Sequence, residues 1–201
     1  MAQFNRQKRE VSIKVVYYGP GLSGKTTNLV QLHGRYPEAQ RGRLVKLDTE
    51  QERTLFFDYM PVSLGTVRSF AVRVDFFTVP GQSYYNVSRR TVLSGADGVV
   101  FVADSDPRRE DANLVSHENF VENLTKVGID LASLPLVYQW NKRDVPGALG
   151  VKLMQTQLGA AGRPGIEAVA ARGVGVWETE RQILALTLKN LRRNAGEGEA
   201  A

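Results

Sequence analysis

Apolar positions along the chain fall into short runs separated by segments of helical spacing. Residues 11–18 carry Val11, Ile13, Val15, Val16, Tyr17 and Tyr18 and read as a strand. In 67–79 the side chains of Val72, Val74, Phe76 and Thr78 share one side, the alternation of a strand with one buried face, until Pro80 and Gly81 end it. Residues 99–103 and 136–140 are continuous apolar runs, as expected of parallel strands covered on both faces, and 166–170 reads as a short strand. Helical spacing predicts helices over 27–36, 83–93, 108–127, 149–158 and 176–191; the third carries Leu114, Val115, Phe120, Val121 and Leu124, with His117 read as a surface residue. The stretch 36–42 reads as loop, 43–47 as at most a weak strand, and 49–60 as a folded loop or short helix stopped by Pro61. Strands alternating with helices predict a three-layer α/β domain with a mostly parallel central sheet over 1–193. The small polar residues 194–201 are expected to form a disordered tail.

Between the first strand and the first helix stands Gly19-Pro20-Gly21-Leu22-Ser23-Gly24-Lys25-Thr26, which fits GxxxxGK[ST] at every fixed position. Strand, glycine loop and helix are the setting this phosphate-binding loop requires. The glycines let main-chain N–H groups turn inward around a phosphate, and the helix N-terminus, where Thr27 lies, adds its positive dipole. Lys25 then reaches the outer phosphates, and the Thr26 hydroxyl is placed to hold Mg²⁺. Ligands on such a sheet sit at the carboxyl ends of the strands, where this loop lies.

With 201 residues, 42% of them hydrophobic, the chain can bury a good core in one domain. With no cysteine, no disulfide, thiolate metal site, palmitoylation or C-terminal prenylation is expected, and with Ala2 no N-myristoylation. With no apolar stretch of membrane-spanning length and no signal-peptide core, a cytoplasmic protein without a direct membrane anchor is expected, one that reaches a membrane or cell pole only through partners. The net charge of +5 permits nucleic-acid binding, yet Arg and Lys are scattered and no basic run marks a specific nucleic-acid face.

A phosphate loop leaves ATP and GTP open. The discriminating element is Asn141-Lys142-Arg143-Asp144, which follows the buried strand 136–140 and so leaves the same sheet edge as the phosphate loop. An Asp144 carboxylate can accept hydrogen bonds from the guanine ring N–H and exocyclic amine, whereas adenine offers an acceptor where the first donor is needed. Lys142 can cover the base with its aliphatic stem, and the Asn141 amide can tie this loop to the phosphate loop. A phosphate-loop ATPase of another class and a non-catalytic nucleotide-binding module remain open on these residues.

The segments VYYGPGLSGKTTNL, ERTLFFD, TVPGQ, GVVFVADS, QWNKRD and GVGVWET, spread over roughly 11–191, resemble Ras-like small GTPases, most closely the bacterial gliding and cell-polarity GTPases of the MglA group. The resemblance implies a molecular switch that binds GTP or GDP with Mg²⁺, hydrolyses GTP slowly alone, and changes two loops with nucleotide state. It implies that Thr54 completes the metal shell when a γ-phosphate is present, that Gln82 orients the attacking water, and that Arg53 is an arginine finger supplied in cis. Thr78 and Gly81 stand in the second phosphate-sensing segment, where most relatives read DxxG and this chain reads Thr78-Val79-Pro80-Gly81. That departure removes a carboxylate from the metal's surroundings. Val169 and Ala170 stand where relatives contact guanine through main chain. The resemblance also implies a dimeric roadblock-domain partner, MglB, that stimulates hydrolysis by contacting the loops around Thr54 and Gln82, with Tyr84, Tyr85 and Leu55-Phe56-Phe57 as aromatic contacts.

Overall fold

Strand β2 (Glu10–Tyr18) takes the middle of the sheet because both of its faces are apolar: Ile13, Val15 and Tyr17 enter one core, Val16 and Tyr18 the other, and all five are buried. The structure, a computed structural model, describes residues 3–5, 9–47, 57–67, 69–81 and 85–197. The sheet runs β3 (Val45–Leu47), β4 (Phe57–Val67), β5 (Phe70–Thr78), β2, β6 (Gly98–Asp104), β7 (Leu136–Asn141), β8 (Gly165–Glu167), with β1 (Gln3–Asn5) antiparallel to the start of β2. Strands β5, β2, β6, β7 and β8 are mutually parallel; β4 and β3 extend the β5 edge antiparallel.

Helices α1 (Lys25–Arg35) and α5 (Val176–Glu197) cover one face, placing Leu29, Leu32, Ile183 and Leu184 against Val15, Tyr17, Val100 and Val102. Helices α2 (Asn86–Leu93), α3 (Glu110–Lys126) and α4 (Val151–Gln157) cover the other, packing Val92, Leu93, Phe120, Leu124 and Met154 on Val16, Tyr18, Phe101 and Tyr138. Each fully buried Leu or Ile contributes about 1.5–3 kcal/mol. The three-layer α/β architecture is thus as expected, and every residue of β6 and β7 is buried, as their continuous apolar runs require. Helix α5 continues to Glu197, so 194–197 carry helical backbone.

The stretch 49–60, expected to be a folded loop or short helix, is strand over its described residues 57–60. Strand β4 runs straight through Pro61, and its described residues form neither loop nor helix. Proline is tolerated here because its missing N–H faces away from β5. The Ser63 N–H, two residues on and so on the same side, donates to Gln40 O, and Pro61 itself is used as an acceptor by Gly42 N. The strand alternates in step, with Asp58, Met60 and Val62 buried.

Helix α3 turns polar groups inward: Asn113, Ser116 and Asn123 are buried beside Phe120 and Leu124. His117, expected on the surface, is instead half-buried, with Nε2 2.8 Å from the Tyr138 hydroxyl and its ring edge-on to Phe101. Burial pushes its pKa down to about 4. The unfolded chain takes up this proton near pH 6.5, while the folded chain takes it up only near 4. Stability from this group is therefore complete above about 6.5 and is lost as pH falls through that window. His117→Gln is expected to flatten the fall in melting temperature between pH 6.5 and 4.5. Acid unfolding curves of equal slope for both proteins would show that the imidazole does not titrate on unfolding.

Candidate nucleotide site

The parallel strands β2, β5, β6, β7 and β8 release their following loops along one sheet edge. At its centre the chain leaves Tyr18 into the phosphate loop, whose bends only glycine accommodates at two points. Gly19 has φ 141° and an added Cβ would meet Val102 O at 2.3 Å; Gly24 has φ 102° and its Cβ would strike Asn141 Nδ2 at 2.3 Å. Gly24 caps α1 without a side-chain hydrogen bond, and the first turn holds no acidic residue. The helix therefore presents main-chain N–H groups and its positive end to an anion. Leu22, 84% exposed, stands out from the loop, Ser23 Oγ is buried without a partner among the described residues, and Thr27 is half-buried behind them.

Lys25 lies folded inside this loop, its Nζ donating to Gly19 O at 2.9 Å and Pro20 O at 2.7 Å. Burial, and then the charges of Arg89 and Arg109, pull its pKa down to about 7 against the opposing pull of Asp58. The centre is short of negative charge. Arg109, just before α3, donates to Gly21 O at 2.7 Å. Gly81, after β5, lies flat on the loop: a Cβ there would meet Gly21 Cα at 2.3 Å and Lys25 Nζ at 3.2 Å.

Beside Thr26 the structure gathers side-chain oxygens. The hydroxyls of Thr26 and Thr78 both donate to Asp58 Oδ2, at 2.5 and 2.9 Å, and Asp58 N donates back to Thr78 Oγ1 at 2.9 Å. A carboxylate thus stands next to the threonine that replaces the usual aspartate, offered by β4 rather than by β5. Sequence reasoning missed Asp58 because Pro61 hid the strand; read as a strand, 57–63 would have shown a carboxylate in the buried phase with Met60 and Val62. Among the described residues no group of three His, Cys, Asp or Glu could hold a metal by itself. A hard cation bound by few protein oxygens together with phosphate and water matches this donor set.

The Asn141–Asp144 turn meets the phosphate loop through Asn141. Its Nδ2 donates to Ser23 O at 2.7 Å, and its Oδ1 accepts from Ala170 N at 2.8 Å, so one buried amide joins three loops. Lys142 adopts φ 63° and sends Nζ to the fully buried Asp104 at 2.6 Å. Arg143 binds Glu167 and Leu149 O, pinning the turn. The Asp144 carboxylate remains partly open, 3.4 Å from Arg172 Nη2 in the single turn that follows Val169. The structure therefore brings Gly19, Gly21, Leu22, Ser23, Gly24, Lys25, Thr26, Thr78, Gly81, Asn141, Lys142, Asp144, Val169 and Ala170 to one edge. Arg53, Thr54 and Gln82 lie outside the described residues, as do Leu55, Phe56 and Tyr84; Phe57 packs on Phe77, and Tyr85 immediately precedes α2. Arg89, Asp104 and Arg109 gave no sequence signal, since an inward-turned charge carries no periodicity of its own.

No family model matches the chain. It is 47% identical over 193 residues to the mutual gliding-motility protein MglA of Myxococcus xanthus (strain DK1622), an alignment covering 96% of this chain and 99% of the relative. Such an alignment takes in every loop of the site, and with the sheet and phosphate loop described above it shows that the chain belongs to the MglA-type small GTPases.

Proposed function

We propose that this chain is a GTP-binding switch that hydrolyses GTP to GDP with Mg²⁺, and that its nucleotide state governs effector binding in gliding or cell polarity. The observation that carries the reading is Asn141, whose single amide holds the phosphate loop, the Asn141–Asp144 turn and the Val169–Arg172 turn in one register. A loop for phosphates and a carboxylate for a base then face one ligand. Asp144 supplies two acceptors for the guanine ring N–H and amine, and the Lys142 stem covers the base, while the Val169 and Ala170 N–H groups donate to Val174 O and Asn141 Oδ1 and hold the turn beside it. The open N-terminus of α1 and Lys25 bind the phosphates, whose negative charge matches the excess of cations there.

Thr26 and Thr78 with Asp58 would hold Mg²⁺, joined by Thr54 in the triphosphate state; the ion would neutralise charge on the outer phosphates. In this reading Gln82, directly after the Gly81 that rests on the phosphate loop, orients water, and Arg53 offsets charge that develops on the transferring phosphoryl group. A roadblock-domain partner of the MglB kind then acts by positioning Arg53 and Gln82. We place the switch in the cytoplasm, recruited to a pole or membrane by partners; among the described residues no helix is long and apolar enough to cross a membrane.

Competition of ATP against GTP for the purified protein tests the base assignment. Asp144→Ala is expected to narrow the preference for GTP by about tenfold or more, the cost of leaving guanine's donors unmatched; an unchanged exclusion of ATP would remove Asp144 from base reading. Asp58→Asn is expected to raise the Mg²⁺ concentration for half-maximal hydrolysis by about tenfold, with Mg²⁺-free GDP binding little altered. A metal titration that superimposes on the parent's would take Asp58 out of the metal's surroundings. Arg53→Ala is expected to bind GTP normally yet lose partner-stimulated turnover by about 10³-fold or more. Full stimulated turnover in that variant would mean that the arginine comes from the partner.

A further inference from the structure

Arg89 sits on α2, yet it is only 2% exposed, and its described hydrogen bonds all go to neutral oxygens. Nε donates to Pro80 O at 2.9 Å, Nη2 to Gly81 O at 2.8 Å and Nη1 to Asn119 Oδ1 at 2.5 Å. Among the described residues no carboxylate stands within ion-pair distance of it. Burying a guanidinium without a counter-charge costs stability. Its position therefore reflects what it holds.

The two carbonyls belong to consecutive residues just beyond β5, and the planar fork of an arginine fixes both together. The Pro80–Gly81 peptide is trans, so turning Pro80 O toward Arg89 turns the Gly81 N–H to the opposite side. Gly81 itself packs on the phosphate loop, where a Cβ added to it would strike Gly21 and come within reach of Lys25. The Gly81 N–H makes no main-chain hydrogen bond among the described residues.

The other end of the clamp is rigid. Asn119 Oδ1 also accepts from the Tyr18 hydroxyl at 2.7 Å and from Asn123 Nδ2 at 2.9 Å, and Asn119 Nδ2 donates to Asn86 Oδ1 at 2.8 Å. The Tyr18 ring lies 5.6 Å beneath the guanidinium. Arg89 thus hangs from α3 and from the strand that carries the phosphate loop.

We propose that Arg89, anchored on Asn119, is a positioning residue that holds the Gly81 N–H toward the terminal phosphate and so sets the preference for guanosine triphosphate over diphosphate. This rests on the nucleotide reading above and adds to it a determinant of triphosphate specificity. Arg89 touches no phosphate itself.

Binding of a non-hydrolysable GTP analogue and of GDP would be measured on the full chain, together with the ³¹P chemical shift of the bound γ-phosphate. Arg89→Lys keeps the charge but cannot grip both carbonyls. It is expected to lower the ratio of triphosphate to diphosphate affinity by about tenfold and to move the γ-phosphate signal, with GDP affinity within about threefold of the parent. Asn119→Ala, which leaves Arg89 in place but unanchored, is expected to shift both readouts in the same direction by a smaller amount, and it carries the test if the lysine variant does not fold. An unchanged ratio and an unchanged γ-phosphate signal in a folded variant would reduce the clamp to a packing device and overturn the inference. Parent protein that binds neither guanine nucleotide would overturn the nucleotide reading itself, and this inference with it.

Discussion

The enclosure of the Lys25 ammonium group by the carbonyls of its own loop is the constraint on which the rest of this site depends. Lys25 is wrapped by the carbonyls of its own loop and surrounded by Arg89 and Arg109, with Asp58 as the nearby carboxylate that opposes them. Like charges in a desolvated pocket repel strongly. The fold holds them there through main-chain geometry: glycines where a Cβ would collide, a helix start left uncapped, and Gly81 laid flat on Gly21. A centre of that charge favours negative oxygens beside it. The phosphate loop, the oxygen cluster at Thr26 and the clamp on Pro80 and Gly81 are three answers to that one electrostatic demand.

What the amino-acid order revealed depended on how local the signal was. The phosphate loop, the continuous apolar strands β6 and β7 and the alternation of β5 are written in neighbouring residues, and the structure has them where their patterns lie. Strand β4 was illegible because Pro61 reads as a stop, and only the neighbouring chain at Gln40 and Gly42 shows that the lost N–H faces outward. Asp58 disappeared with it. His117 looked exposed because the polar residues Asn113, Ser116 and Asn123 mask the buried face of α3, whose inner surface is a hydrogen-bonded layer as much as an apolar one. Arg89 was invisible for a related reason: an arginine in an amphipathic helix normally marks solvent, and nothing local says that two carbonyls await it. The role of Asn141 was readable as a possibility from its place at the end of the apolar run 136–140. That its second hydrogen bond goes to Ala170 N needed the fold.

The Asn141 amide has a consequence for how a bound nucleotide would leave. Because the same side chain holds the loop under the phosphates and the turn beside the base, neither wall of the pocket can swing out alone without breaking a buried hydrogen bond. Opening one wall alone therefore costs that bond, on the order of 1–3 kcal/mol, which couples the two walls. A protein that pries at either rim, whether by the Val169–Arg172 turn or by the phosphate loop, loosens the grip on both halves of the ligand at once.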